Sequence, residues 1–311
     1  MFAQSIRAGY GQNQMRILFI TSSRIGDAVI SCGILEGLRE KYPKARFTIA
    51  CGPLTVDLFS RFPALERVIV FEKQSYDRHW FGLWLRLVPH AWSLVVDVRG
   101  SAMALLLATR KRRILRGGRR PGRRYVQLGL AMGFHPPPLP VVWTAPEDDA
   151  KALALLGSGP LIALAPTASW EGKVWPATRF VALFQALAAR IPGARAVILA
   201  GPGEQEAEMA APVVQALPGA INLVGRLTLP EAAACLRRVT LFVGNDSGLM
   251  HLAAAVGAPT LGLFGRSRAS EYAPAGVAAA FVAAPGPEGE VPMQELSVEA
   301  VAMAAFKLMG I

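Results

Sequence analysis

Metal cages, disulfide frameworks and membrane spans all need residues that this sequence scarcely has. Its three cysteines, Cys32, Cys51 and Cys235, form no CxxC pair and leave an odd count, so they read as structural thiols in a reducing compartment. Four scattered histidines and no HExxH indicate no metal site. GxxxxGK[ST], GxSxG and DxD are also absent, which removes the P-loop and hydrolase-elbow readings. Although 52% of the residues are hydrophobic, Gly, Pro or charge interrupts every apolar run before the roughly eighteen residues that a membrane span requires. The opening stretch MFAQSIRAGYGQNQ, residues 1–14, lacks the apolar core of a secretory signal, and a cytoplasmic protein is expected.

Acidic residues are missing from one place in particular. Between Arg110 and Arg124, in RKRRILRGGRRPGRR, nine Lys/Arg residues meet no Asp or Glu, so of a net charge of +11 the rest of the chain carries only +2. Basicity this local points to one anionic partner surface: phosphate-bearing glycolipid, acidic membrane or RNA. Only Tyr125 offers an aromatic face beside it, so base stacking is poorly provided for and no specific nucleic acid is expected. Arg110, Arg112, Arg113, Arg116, Arg119 and Arg120, with Arg24 further upstream, are the candidate anion-facing residues.

The length suits two domains, and the pattern divides accordingly. MRILFIT, RFTIACG, RVIVFE and WSLVVDVRG are continuous Val/Ile/Leu-rich runs, the mark of strands covered on both faces, with helical or turn-rich segments between them. HPPPLPVVWTAPEDD, residues 135–149, is too proline-rich for a packed helix and sets the domain boundary. A second alternating series follows: PLIALAPTA, ARAVILAGPG, AINLVGR, LFVGNDSG and PTLGLFG, each with a helix between it and the next, and SVEAVAMAAFKLMGI as a closing amphipathic helix. Two doubly wound α/β domains are expected, an extension over 1–14 preceding residues 15–150 and 151–311, with the closing helix a candidate to pack back on the first domain. Ligands of such sheets sit beyond the carboxyl ends of the strands.

Chemistry-bearing residues gather at those ends. Ser247, Gly248 and Leu249 open a helix after a strand, a position whose free N–H groups and partial positive charge suit phosphate. Asp246 beside them either caps the helix or accepts bonds from sugar hydroxyls, and simple capping by Asn245, Asp246 and Ser247 is an equal alternative. APTASWEGKVWP places Thr167, Ser169 and Lys173 at another strand end, where hydroxyls and an ammonium suit a diphosphate. Glu204 follows GPG where an acid could hold ribose hydroxyls, although GxGxxG itself is absent. Asp27, in SSRIGDAV, is placed to take a proton from an attacking hydroxyl, or else it caps its helix or pairs with Arg24. Trp80, Trp84 and Leu87 recur at helical spacing, as a core stripe or a lipid-facing one.

With RIGDAV, KVWP and GNDSGLMHLAAAVGAPTLGLFG read in that order, the chain resembles the lipopolysaccharide heptosyltransferases of glycosyltransferase family nine, from Met15 onward. The resemblance implies a GT-B fold, two Rossmann-like domains facing a central cleft, the first on the acceptor side and the second holding the nucleotide-sugar. It implies inverting transfer of heptose from ADP-heptose to the lipopolysaccharide inner core, with no metal and no cofactor beyond that donor. Asp27 then matches a general base, Lys173 a donor phosphate or sugar contact, Asp246 a donor-sugar contact, and Ser247, Gly248 and Leu249 the phosphate-binding turn. Thr167 and Ser169 are looser matches, Glu204 as a ribose ligand and Leu227 as an adenine-pocket wall looser still. An anionic glycolipid acceptor and peripheral contact with the cytoplasmic face of the inner membrane go with that reading. Its alternatives are a nucleotide-sugar epimerase or hydrolase of the same fold, or a basic RNA- or membrane-binding module with a degenerate transferase body.

Overall fold

A computed structural model describes residues 14–72, 75–116 and 121–311 of the chain, so Arg119 and Arg120 lie outside the described residues, as does the extension up to residue 13. The strands are β1 Arg16–Ile20, β2 Arg46–Cys51, β3 Leu65–Val70, β4 Trp92–Asp97, β5 Thr109–Ile114, β6 Leu161–Ala165, β7 Arg195–Ile198, β8 Ile221–Asn222, β9 Leu241–Asn245, β10 Thr260–Phe264 and β11 Ala279–Ala283. The helices are α1 Ile25–Lys41, α2 Val56–Phe59, α3 His79–Leu87, α4 Arg124–Ala131, α5 Pro146–Leu156, α6 Ala177–Arg190, α7 Glu204–Ala216, α8 Leu229–Leu236, α9 Gly248–Ala255, α10 Ala269–Tyr272 and α11 Val298–Met309.

The first five strands form one sheet in the order β3-β2-β1-β4-β5, and the rest a second in the order β11-β10-β9-β6-β7-β8. Every pairing is parallel. Both orders are Rossmann-like, with the chain's progression across the sheet reversing between β1 and β4 in one and between β6 and β9 in the other, where ligand crevices form. The central strands are buried on both sides, as their unbroken apolar runs require: Ile17 to Ile20, Leu161 to Ala165 and Leu241 to Val243 are all sealed from solvent.

Two strands were not legible as such. β5 lies inside the arginine-rich segment, where a parallel edge strand needs little apolar content and the charges keep other chains from adding to it. β11, at the opposite edge of the other sheet, is made largely of alanine. The proline-rich connection runs over α1, close enough that a side chain at Gly33 would meet the Leu139 carbonyl oxygen at 2.4 Å. Helix α5 begins at Pro146, packs on α8, and has its first turn closed by the Asp148 carboxylate, which accepts from the Ala145 N–H at 2.8 Å. The closing helix α11 packs on α6, β10 and β11, burying Val301, Ala302 and Ala305 there.

Candidate functional site

The domains meet at two helix N-termini. α1 opens after β1 and α9 after β9, and the two helices pack against each other. A side chain at Gly248 would stand 2.8 Å from Cγ2 of Ile25 and 3.5 Å from the backbone nitrogen of Gly26. One at Gly26 would stand 2.9 Å from Cδ2 of His251. Glycine at 248 therefore admits the opposing helix, a stronger constraint than the ligand approach that the sequence suggests. The partial positive ends of two helix dipoles are brought to one place.

A cleft of about 700 Å³ opens at this junction, with Arg24, Asp27 and Leu54 on one wall and the loops after β6, β7 and β9 on the other. Thr167, Ser169, Lys173, Leu227, Asp246, Ser247, Gly248 and Leu249 all border it, as the sequence anticipates. Asp27 lies in the first turn of α1, half-buried, and among the described residues no side chain donates to its carboxylate. Neither capping nor pairing with Arg24 is realised: Arg24 itself occupies the N-cap and is exposed.

Asn245, Asp246 and Ser247 divide three tasks. The Asn245 side chain accepts from the Trp175 backbone N–H at 3.0 Å and donates to the Thr167 carbonyl at 3.3 Å, which ties the loop after β6 to the end of β9. Trp175 is wholly buried and anchors that loop further by donating from its indole to the Leu296 carbonyl at 2.8 Å. Asp246 accepts from the Lys173 ammonium at 2.6 Å. Its other oxygen lies 3.8 Å from Nε2 of the buried His251. Burial pushes the His251 pKa down, against the pull of the Asp246 and Asp27 carboxylates, so the ring stays neutral at physiological pH. Ser247 holds the N-cap position of α9, yet its Oγ is buried with no hydrogen-bond partner, so side-chain capping does not account for it. Replacing Asn245 with Ala removes both staples and strands the Trp175 N–H. The expected cost is about 2–3 kcal/mol of stability, read as a lower melting temperature, and an unchanged melting temperature would contradict this role.

Where β7 ends, Leu199, Pro202, Leu223 and Leu227 form an apolar slot, the kind of wall a purine ring fills. Glu204 does not belong to it. As the first residue of α7 it faces solvent, while Glu206 borders the cleft and accepts from the Gly201 N–H at 3.1 Å. Two positions along a helix turn a side chain by roughly 200°, which is why Glu206 and not Glu204 borders the cleft. Glu206→Gln is expected to weaken adenine-nucleotide binding about fivefold, and Glu204→Gln to leave it unchanged. Isothermal titration distinguishes the two, and the reverse order would restore Glu204. Glu206, His251 and the slot residues Leu199, Pro202 and Leu223 carry no sequence signal of their own beyond their closeness to strand ends.

The described residues of the basic segment do not line the cleft. Arg110, Arg112 and Arg113 lie on β5, and Arg112, Arg113 and Arg116 border a separate hollow of about 300 Å³. Arg113 donates to the Met132 carbonyl and Arg112 to that of Leu107 at 2.7 Å. Near its end, Arg123 crosses to the second domain and donates to the carbonyls of Ala273 at 2.8 Å and Pro274 at 2.7 Å, a further tie between the domains. Among the described residues no group of three or more His, Cys, Asp or Glu side chains is placed to hold a metal ion, and no helix is long and apolar enough to cross a membrane.

Comparison with known proteins gives a consistent picture. A family model for glycosyltransferase family 9 (heptosyltransferase) matches residues 86–296. Lipooligosaccharide heptosyltransferase 2 of Haemophilus influenzae is 26% identical over 306 residues, covering 84% of this chain and 86% of that one. Among solved structures, a family 9 glycosyl transferase from Veillonella parvula superposes with a TM-score of 0.80 at 20% identity, over 96% of this chain and 98% of its own. The Escherichia coli heptosyltransferase WaaC, solved with ADP-2-deoxy-2-fluoro heptose, superposes with a TM-score of 0.69 at 19% identity, over 94% of this chain and 99% of its own.

Proposed function

Since the chain belongs to glycosyltransferase family 9, the heptosyltransferases, we propose that it moves heptose from ADP-heptose to the inner core of lipopolysaccharide, inverting the anomeric carbon without a metal ion. The observation that carries this reading is the facing of Asp27, on α1, across the cleft from the Lys173–Asp246 pair and the N-terminus of α9.

Donor binding starts in the second domain. Adenine fills the slot at Leu223 and Leu227, Glu206 takes the ribose hydroxyls, and the pyrophosphate rests on the opening N–H groups of α9 and the spare Ser247 hydroxyl. Lys173 then does the work of a divalent cation, offsetting charge that grows on the departing ADP. It is already held in place by Asp246 at 2.6 Å, so little ordering is lost when the phosphate arrives. Asp246 turns to the heptose hydroxyls, and Asp27 takes the proton of the acceptor hydroxyl as it attacks the opposite face of the anomeric carbon. Arg24, exposed at the mouth of the cleft, meets the phosphates of an anionic acceptor. No cofactor other than the donor is required, and an acceptor anchored in a bilayer makes the cytoplasmic membrane face the place of work.

The test is transfer of labelled heptose from ADP-heptose to a heptose-deficient inner-core acceptor, with and without EDTA. Product that forms equally in both supports the reading. Donor consumption without acceptor would favour an epimerase or hydrolase, and loss of product in EDTA would end metal independence.

A further inference from the structure

The net charge of +11 is confined to one part of the chain. From Arg78 to Arg124 there are twelve Lys/Arg residues and a single acid, Asp97, so the remainder is neutral overall. Asp97 does not reach the surface: it is buried, and its carboxylate accepts from the backbone N–H groups of Arg99, Gly100 and Ser101 and from the Ser101 hydroxyl. A surface built from this stretch carries positive charge with no acid to offset it.

The same stretch leaves apolar side chains uncovered. α3 buries Leu83 and Leu87 against the sheet and turns Phe81 and Leu85 outward, 65% and 51% exposed. Beside it, Leu105 and Leu106 stand out from the helical turn Ala102–Leu106. Trp84 joins the two elements, its ring 6.0 Å from that of Phe81 and its indole N–H 3.5 Å from the Leu106 carbonyl oxygen. Arg78 and Arg86 flank the helix, both exposed. The register of β5 brings further charge to this side. Arg112 pairs with Val95, which belongs to the layer under α3, whereas Arg113 pairs with Val96 in the layer under α1. Side chains alternate along a strand, so Arg110 and Arg112 project on the α3 side, and the bond from Arg112 to the Leu107 carbonyl agrees. α3 follows the carboxyl end of β3, the end of the sheet at which Arg24 and Asp27 follow β1. At that end of α3 the Arg99 guanidinium, another exposed charge, lies over Trp80 at 5.4 Å.

We propose that this face, with Phe81, Leu85, Leu105 and Leu106 at its centre and Arg78, Arg86, Arg110 and Arg112 around it, docks on an anionic lipid bilayer. Apolar side chains enter the boundary of the acyl region while the guanidinium groups meet lipid phosphates, the two attractions that together hold a protein at an interface. Three of the four central side chains are leucines, which give a nucleobase nothing to stack on, so the face favours lipid over RNA. Docked there, the protein stays at the layer in which a lipid-borne acceptor sits. That purpose rests on the proposed function, but the docking does not.

The experiment is co-sedimentation of the full chain with phosphatidylcholine vesicles, with and without phosphatidylglycerol, without donor or acceptor. Binding is expected only to the anionic vesicles and is expected to fall at high salt. The Phe81→Ser/Leu85→Ser double variant and the Arg78→Glu/Arg110→Glu double variant should each reduce it about tenfold, with melting temperatures like wild type because the altered side chains face outward. On a soluble, deacylated acceptor the Phe81→Ser/Leu85→Ser variant should turn over normally. Equal binding to neutral vesicles, undiminished binding by either double variant, RNA that displaces the vesicles, or a solution dimer that the Ser variant dissolves would overturn the proposal. Absence of transfer to the deacylated acceptor with vesicle binding intact would instead overturn the proposed function alone.

Discussion

Asp27→Asn is expected to lower heptose transfer by ~10²–10⁴-fold, the usual contribution of a general base, while ADP affinity stays within about twofold. The separation of the two effects follows from where the residue sits. Asp27 belongs to the first domain, whereas the apolar slot and the N-terminus of α9 belong to the second. Among the described residues no side chain donates to its carboxylate, so the isosteric amide breaks no bond and the fold is unaffected. Initial rates with saturating acceptor, alongside titration calorimetry with ADP, give both numbers. Turnover above a tenth of wild type would remove Asp27 from the chemistry.

The Lys173–Asp246 pair yields the second large effect, with opposite signs for its two members. Lys173→Ala removes the cation that meets the pyrophosphate and leaves the nearly buried Asp246 carboxylate unpaired beside the phosphate site. ADP affinity should drop at least tenfold, a cost on the order of 2 kcal/mol for one charge-assisted hydrogen bond plus repulsion. Asp246→Asn frees the ammonium from its internal partner, and ADP should bind as well as before or better. Transfer should nevertheless fall, because the contact to the sugar is lost. Were both variants to weaken ADP equally, the pair would be a structural strut and not a donor site.

Much of this arrangement was legible in the sequence because strand ends in a parallel sheet announce themselves. Unbroken apolar runs ending in Gly, Ser, Thr or Asn located the loops that hold Asp27, Lys173 and Ser247. What those loops do to one another was not legible. The Lys173–Asp246 bond spans 73 residues of sequence, and nothing local to either side chain marks it. The close approach of Gly26 and Gly248 likewise depends on how α1 meets α9, a matter of domain packing. The pattern points to the loop that carries Glu204 but not to the rotational phase of the helix that follows it, which is what brings Glu206 to the cleft. β5 has no apolar signature because an edge strand buries little, and its arginines carry the pattern of solvated charge. The charge itself was noticed, but its pairing with the outward leucines of the 102–106 turn needed the register of β5 on β4.

The measurement that tests the account most directly is a crystal structure of the chain soaked with a non-transferable ADP-heptose analogue. The pyrophosphate should lie on the Ser247, Gly248 and Leu249 amides with the Lys173 ammonium at hydrogen-bonding distance, and the anomeric carbon should face Asp27. A diphosphate seated elsewhere, or an Asp27 carboxylate directed away from the sugar, would contradict it.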